Sequence, residues 1–251
     1  MIVNDKFYKK KWDNNFKTAK GILITPYNPE VLFIGTFNHG WLKNDADFFY
    51  GRNMYFWPIM SNLFIHNNSK HTKPRKKQNN PSINEIFEIC NKTKITFANL
   101  IKGIKPNITI KISDNNYTIN NHYLWDNYSD FHLNNLGKLE YLESNTLNII
   151  NYINTNKELK YIYFTFKSGA WLNKEIKKIK DGTSVEVIGS IFTPTAKGLG
   201  KNLNSFPSRI STLMHYWLWN NKSKYTKNIK KGYITLDHSW LKKNNVEVDN
   251  F

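Results

Sequence analysis

Residues 31–40 read VLFIGTFNHG, and residues 48–58, after a polar turn, read FFYGRNMYFWP. The first five residues form a continuous apolar run, which is typical of a strand buried on both faces of a sheet. That strand leads into a loop that ends at Gly40 and carries one asparagine and one histidine. The second segment is dense in aromatic rings, which favours a slot that grips a flat group such as a nucleobase.

Three further apolar runs, at residues 95–100, 161–166 and 185–191, alternate with helical patterns and therefore predict a parallel sheet. We expect an α/β fold, a three-layer α/β/α domain with a central four-stranded parallel sheet. Helices are predicted from Pro58, from a capping box at Ser82, over residues 139–153, over 170–180 with Gly182 as the cap, and over 208–219.

We expect one domain over residues 1–251, with a core near residues 22–220. A basic insertion at 66–80 contains almost nothing apolar, and a second insertion at 105–131 is polar and rich in asparagine. The C-terminal extension at 221–251 is basic, but its aromatic and aliphatic residues predict that it packs back on the domain.

The composition favours a polyanionic partner. The chain has 36 Lys and Arg against 19 Asp and Glu, a formal net charge of +17. We expect DNA rather than a membrane as the partner, with a generic lysine-rich surface as the alternative.

The single cysteine, Cys90, excludes structural disulfides and has the spacing of a core residue. Residues 1–20 lack the apolar stretch of a secretory signal and no run could span a bilayer, so we expect a cytoplasmic protein. We also expect it to be a monomer.

Several common enzyme classes lack their sequence motifs here. The chain contains no GxxxxGK[ST], GxGxxG, HExxH, CxxC or GxSxG pattern. Ligands of parallel α/β sheets bind beyond the carboxyl ends of the strands. The loops expected at that edge hold residues 36–40, Asn99, residues 165–169 and residues 193–200.

These segments resemble the uracil-DNA glycosylase superfamily, and most nearly its mismatch-specific uracil/thymine branch. The first motif of that family is a strand ending in glycine, a loop with Asn or Asp, and an aromatic segment ending in Phe-Trp. Here it reads as residues 34–40 followed by 48–57, and the second motif reads as residues 193–195. The likeness runs from residue 31 to 217. His39 stands where that branch has proline and Met54 where it has asparagine, which favours a base other than unmodified uracil.

The resemblance implies a monofunctional DNA glycosylase that everts a base and hydrolyses its N-glycosidic bond, with no metal and no organic cofactor. Asn38 would orient the water, His39 would donate a hydrogen bond, and Asp45 could supply a carboxylate. Phe49 corresponds to the ring that stacks on the base, with Tyr50 as the shifted alternative. The base-binding candidates are Phe37, Phe49, Tyr50, Asn99, Thr165 and Lys167. The DNA-binding candidates are Arg52, Thr193, Thr195, Lys197 and the wedge Leu199.

The substrate expected from this resemblance is uracil, another deaminated base, or a hypermodified pyrimidine of the kind viruses carry, which would give the enzyme an antiviral role. Alternatives stay open at single residues: Asn38 also suits a left-handed turn, and His39 and Asp45 also suit a solvated loop. A non-catalytic module that binds modified or single-stranded DNA is the second class of function. A nuclease is the third, but it needs Mg²⁺ and a carboxylate cluster.

Overall fold

The fold was determined as a computed structural model, which describes residues 3–12, 15–40, 44–52, 54–72, 80–105, 108–112, 115–119, 130–166, 169–192, 208–219 and 233–251. The strands in these ranges are β1 (Val3–Asn4), β2 (Lys17–Ala19), β3 (Ile22–Ile24), β4 (Val31–Gly35), β5 (Ile95–Asn99), β6 (Ile101–Ile104), β7 (Ile108–Ile112), β8 (Asn115–Ile119), β9 (Leu142–Ser144), β10 (Tyr161–Phe164) and β11 (Val187–Ser190).

The main sheet has six strands in the order β11–β10–β4–β5–β3–β2. β4 pairs in parallel with both β5 and β10, and β10 pairs in parallel with β11. The register puts Gly35 opposite Asn99 and Ile34 opposite Phe164. The carboxyl ends of three neighbouring strands therefore lie at one edge of the sheet, which we call the carboxyl edge.

The predicted mixed α/β class is confirmed and the sheet is mostly parallel, but it has six strands rather than four. β2 and β3 form a hairpin that adds two antiparallel strands beside β5. Lys20 and Gly21 in its turn have φ angles of +54° and +72°, the left-handed pair that a two-residue hairpin requires. Each of these strands has only three residues, which is too short for an alternating pattern to be visible in the sequence.

The helices are α1 (Phe56–Ser61), which continues into a π-helical turn (Asn62–His66), α2 (Ile83–Thr93), α3 (Asp130–Lys138), α4 (Thr146–Thr155), α5 (Ala170–Gly182), α6 (Arg209–Trp219), α7 (His238–Lys243) and a 3₁₀ turn (Val248–Asn250). Ser82 caps α2 as predicted, because its Oγ accepts a hydrogen bond from Glu85 N at 3.1 Å. The Glu85 carboxylate accepts from Ser61 instead of completing the capping box. Gly182 is the last residue of α5, and the cap is Thr183 in an extended conformation.

The single helix predicted over residues 139–153 is wrong. α3 ends at Lys138, Glu140 takes a left-handed φ of +59°, and Leu142 belongs to β9. β9 pairs with β6, and β6 pairs with β1, in a second sheet of three strands. The apolar side chain of Leu142 is therefore buried as part of a strand. Its helical spacing to residues 149 and 153 wrongly indicated one continuous helix. The polar 105–131 insertion contributes the β7–β8 hairpin.

The main sheet is buried on both faces. Phe33 packs on one face with Phe97 and Tyr163, while Leu32 and Ile34 belong to a second apolar cluster on the other. This two-sided burial explains why β4 reads as a continuous apolar run. The aromatic segment fills the first cluster, in which four of its rings are fully buried: Phe48, Phe49, Phe56 and Trp57.

The C-terminal residues 233–251 pack on the first cluster, as predicted for the extension. Trp240 and Leu241 are buried there, and Trp240 Nε1 donates a hydrogen bond to Thr93 O at 3.2 Å.

Cys90 is a buried free thiol in the same cluster, in agreement with its helical spacing. No helix within the described ranges is both long and apolar enough to cross a membrane. The assignment of residues 1–251 to one domain stays a prediction.

Candidate functional site at the carboxyl edge

The loop after β4 carries Thr36, Asn38 and His39 onto the carboxyl edge. Backbone hydrogen bonds hold it from two sides: Lys6 N donates to Asn38 O at 2.6 Å, and Ile101 N donates to Thr36 O at 2.9 Å. The N-terminal segment 3–12 therefore runs directly beside the loop. Asn38 and His39 are half-buried, so the loop is positioned as a ligand-binding loop of this type of sheet would be.

Asp5 is a buried carboxyl group against this loop that the sequence did not single out. Its carboxylate accepts hydrogen bonds from Phe7 N at 2.8 Å, Asn38 N at 2.7 Å and Asn99 Nδ2 at 2.9 Å. Burial raises the pKa of Asp5 to about 7, although the three donors oppose that rise. Asp5 thus links the β4 loop to the end of β5. No local pattern marks it, because its burial depends on contacts with residues over thirty positions away.

Tyr50 meets the carboxyl edge at Gly35. A Cβ at Gly35 would lie 3.1 Å from both Asn99 Oδ1 and Tyr50 Cε1, so glycine lets the two side chains approach the end of β4. Thr165, which follows β10, donates from Oγ1 to Tyr50 Oη at 3.4 Å. Burial raises the pKa of Tyr50 above its ordinary value, so the phenol remains a neutral donor. Three predicted base-binding residues, Tyr50, Asn99 and Thr165, are therefore brought together.

Asp130, the first residue of α3, is a second carboxyl group at this edge. Thr36 Oγ1 donates a hydrogen bond to Asp130 Oδ1 at 3.1 Å. Burial raises the pKa of Asp130 to about 6, and the hydrogen bond from Thr36 acts in the opposite direction. Sequence reasoning missed Asp130 because it ends the polar 105–131 insertion. A helix-starting aspartate there was the only available signal.

Phe49 does not lie in the position expected for a base-stacking ring. Its side chain is 0 % exposed and stacks on Phe97 with ring centroids 5.5 Å apart. Tyr50, the shifted alternative, is instead half-buried and stacks on Phe56 with centroids 4.4 Å apart. Phe37 is 5 % exposed and also buried. Of the predicted aromatic contacts in the described structure, Tyr50 is therefore the one available to a ligand.

The remaining described candidates have other partners. His39 O accepts a hydrogen bond from Asn44 Nδ2 at 2.7 Å, and its backbone bridges to Asp5. Arg52 is paired with Asp47, with Nη2 and Nε both 2.6 Å from Oδ2. This ion pair competes with the phosphate contact predicted for Arg52. Asp45 is exposed.

Asp45 lines a cavity of about 440 Å³ that opens beside the N-terminal segment. Three lysines line the same cavity, together with one tryptophan, a second aspartate and residues of α2: Lys6, Lys10, Lys11, Trp12, Ala46, Asp47, Ile83, Asn84 and Phe87. We call it the basic cavity. Its lysines and indole form a surface suited to an anionic, partly aromatic ligand, and the sequence did not predict it because its walls come from three distant segments.

Five predicted site residues lie outside the described residues: Lys167, Thr193, Thr195, Lys197 and Leu199. Their proposed roles in base binding, phosphate contact and duplex wedging stay predictions. In the part of the chain that the structure describes, the group with a metal-binding arrangement is His66, His71 and Glu85. It includes none of the predicted site residues.

Comparisons with known proteins provide no family assignment. No family model matches the chain, and neither a curated protein nor a solved structure matches it at a significant level. The geometry of the carboxyl edge therefore has to carry any functional conclusion.

Proposed function

We propose that the protein is a DNA glycosylase that hydrolyses the N-glycosidic bond of an everted uracil-like or modified pyrimidine and leaves an abasic site. The observation that carries this proposal is the convergence of the Asn38 loop, Tyr50, Asn99 and Thr165 around Gly35. The mostly parallel sheet supports it, because ligands of such sheets bind beyond the carboxyl ends of the strands.

The proposed reaction needs a water molecule activated beside the sugar. The Asn38 side chain can orient water but has no useful basicity. Asp130 supplies a base, because a carboxyl group with a pKa of about 6 is largely ionised at neutral pH and more basic than an ordinary aspartate. Its bond to Thr36 Oγ1 keeps it next to the loop that carries Asn38. Asp130 takes the role that the sequence assigned to Asp45.

Base recognition in this proposal depends on Tyr50 and Thr165. The Tyr50 ring is anchored by its stack on Phe56, and its hydroxyl bonds to Thr165. A ring held in this way can contact the flat face of a base, where stacking contributes roughly 1–3 kcal/mol per base. The Tyr50 hydroxyl accepts from Thr165 and so keeps its own proton, which it can donate to a base oxygen as negative charge develops on the leaving group. Asp5 acts as a positioning residue, because it holds Asn38 N and Asn99 Nδ2 together.

The test is base release from DNA. Duplex and single-stranded substrates carrying uracil, other deaminated bases and hypermodified pyrimidines are incubated with the protein. Free bases are then identified by mass spectrometry, and abasic sites by alkaline strand cleavage. We expect release of at least one base, and an Asp130→Asn variant slower by about 10²–10⁴-fold with DNA affinity retained, as for the loss of a general base.

Asp181→Asn is the matched control, because Asp181 lies on the exposed face of α5 in an ion pair with Lys177. Its rate should equal that of the unaltered protein. Absence of base release from every substrate would contradict the glycosylase proposal. An Asp130→Asn rate equal to that of the control would remove Asp130 from the mechanism.

A non-catalytic nucleic-acid-binding module is the second candidate function, and the basic cavity favours it. The cavity combines three lysines with Trp12 and is lined by none of Tyr50, Asn99 and Thr165. Tight DNA binding that Lys10→Ala and Lys11→Ala weaken, without release of any base, would support this module over the enzyme.

A further inference from the structure

A separate cluster of polar side chains lies where α1 continues into the π-helical turn. His66, His71 and Glu85 each offer one ligand atom, and these atoms lie within 4.8 Å of one another. The Nε2 atoms of His66 and His71 are 3.6 Å and 3.9 Å from Glu85 Oε1. We call this group the His-Glu cluster.

The donor set and spacing of the His-Glu cluster fit a transition metal. Two imidazole nitrogens and one carboxylate oxygen are ligands that zinc takes at about 2.0–2.2 Å, with the fourth position open to water. Ligand atoms on such a tetrahedron are roughly 3.3 Å apart, so small side-chain shifts would bring these three into contact with one ion. The side chains are 20 %, 9 % and 22 % exposed, which leaves a route from solvent.

The backbone around His71 is held independently of its imidazole. The buried Asn62 side chain accepts from His71 N at 2.7 Å and donates to His71 O at 3.0 Å. Asn67, with a left-handed φ of +47°, reverses the chain after the π-helical turn. The chain therefore turns back toward α2, and His71 lies beside Glu85. π-Helical turns of this kind occur frequently at functional sites.

Two further side chains adjoin the ligand atoms. Ser61 Oγ donates to Glu85 Oε1 and lies 3.0 Å from His71 Nε2. These contacts hold two of the three ligand atoms close together, and His71 Nε2 exchanges Ser61 for the ion when zinc binds. Lys70 Nζ lies 3.2 Å from His66 Nε2. An ammonium group competes with a metal cation, and the exposed Lys70 side chain can turn into solvent when the ion binds.

We propose that His66, His71 and Glu85 bind one zinc ion, which anchors the start of the basic 66–80 insertion to α2. The ion would join the π-helical turn and the following loop to a helix of the core, with its fourth position open to water. This site is distinct from the carboxyl edge, and it does not depend on the proposed base excision. It adds a metal to a chain whose sequence predicted none.

The test measures zinc binding by the full-length chain after treatment with a chelator. We expect one equivalent of zinc by calorimetry and elemental analysis, a higher Tm with zinc present, and the visible absorption of tetrahedral cobalt when Co²⁺ replaces zinc. His66→Gln and Glu85→Gln should each weaken zinc affinity by at least about 100-fold, since the loss even of a residue that only supports a ligand costs about 10–100-fold. Glu85→Gln keeps the α2 cap, which uses the Glu85 backbone.

Glu158→Gln is the matched control, since Glu158 is an exposed glutamate in the turn before β10, and Lys70→Ala should bind zinc at least as tightly as the unaltered chain. Folding of each variant is checked by its tryptophan fluorescence and its Tm without metal. Failure of the folded, unaltered chain to bind zinc would overturn the proposal. Equal affinity in His66→Gln, Glu85→Gln and Glu158→Gln would overturn it too, because the ion would then lie elsewhere.

Discussion

Asp5 is a carboxyl group whose buried environment disfavours its charged form. A carboxyl group that is 3 % exposed loses the hydration that stabilises its charge, so the neutral form is favoured even with three donors around it. Those donors belong to the N-terminal segment, the β4 loop and β5. One side chain therefore joins three segments that approach the carboxyl edge from different parts of the chain.

The raised pKa of Asp5 predicts a pH-dependent stability. The folded protein keeps the proton up to a pH of about 7, whereas an ordinary aspartate releases it near 3.8. The contribution of Asp5 is therefore complete below pH 3.8 and is lost as the pH rises through 7, a change on the order of 4 kcal/mol. Urea unfolding followed by tryptophan fluorescence between about pH 4.5 and about pH 7.5 measures this loss.

Asp5→Asn is the matched variant, because its amide does not titrate. It retains one acceptor oxygen and leaves one donor, such as Phe7 N, unsatisfied, which costs about 1–3 kcal/mol. We expect the variant to have a lower free energy of unfolding than the unaltered protein at low pH, and this difference should narrow or reverse toward pH 7.5. A difference that stays constant over that range would show that Asp5 has an ordinary pKa.

At the scale of elements, α3 and α5 are joined by close contacts that also orient Asp130. Asn134 of α3 accepts from Trp171 N at 2.8 Å through its Oδ1 and so caps the start of α5, where Gly169 has no side chain of its own. Gly169 has a φ of +141°, and a Cβ there would lie 2.5 Å from Asn134 Oδ1. The glycine is therefore required both by its backbone conformation and by the approach of α3.

Gly137→Ala tests the contact between these two helices. A Cβ at Gly137 would lie 2.2 Å from Trp171 Cδ2, so the helices have to separate or the indole has to move. We expect a loss of about 1–3 kcal/mol in the free energy of unfolding, as for overpacking. Chemical denaturation measures it, and base release should fall with it because α3 carries Asp130.

Gly182→Ala is the control for Gly137→Ala. It also adds a methyl group to a helix, but its nearest neighbour would be Ile150 Cδ1 at 2.9 Å, the end of a flexible side chain. It should therefore cost less than Gly137→Ala. Equal stability of the two variants would mean that α3 and α5 adapt to one another without strain.

At the scale of the whole molecule, the dominant property is the charge of +17. Some of the charged side chains are paired, as Arg52 is with Asp47 and Lys243 with Glu30. Lys10 and Lys11, in contrast, are exposed where the basic cavity opens. Three lysines against two aspartates give the cavity wall a net positive charge, which raises the local concentration of a polyanion.

This distribution predicts DNA binding that weakens steeply with salt. Each phosphate contact that is lost should reduce the slope of log K against log salt by about 0.9. We therefore expect Lys10→Ala and Lys11→Ala each to reduce the slope by about that amount in fluorescence anisotropy titrations. Lys177→Ala, on the exposed face of α5, should leave the slope unchanged. If affinity does not change with salt, or if the two cavity lysines do not affect the slope, the positive charge does not contribute to DNA binding.

The sequence predicted correctly those features that depend on neighbouring residues. The buried run at 31–35, the Ser82 cap and the helical spacing of Cys90 are local patterns, and each corresponds to the observed structure. The same reasoning located Asn38, Asn99 and Thr165 at strand ends, because parallel strands bring their carboxyl ends to one edge. It placed Phe49 wrongly, since spacing along the chain does not reveal which of two adjacent rings enters the core.

By itself, then, the sequence determined the α/β class, the mostly parallel arrangement of the main sheet and the excess of positive charge, since periodicity and composition are local or additive properties. Only the tertiary structure decided that Asp5, Asp130 and Tyr50 meet the carboxyl edge, and that His66 and His71 face Glu85. These contacts join residues far apart in the chain. The pKa values and the hydrogen-bond partners of these side chains depend on how deeply they are buried, which neighbouring residues in the sequence do not reveal.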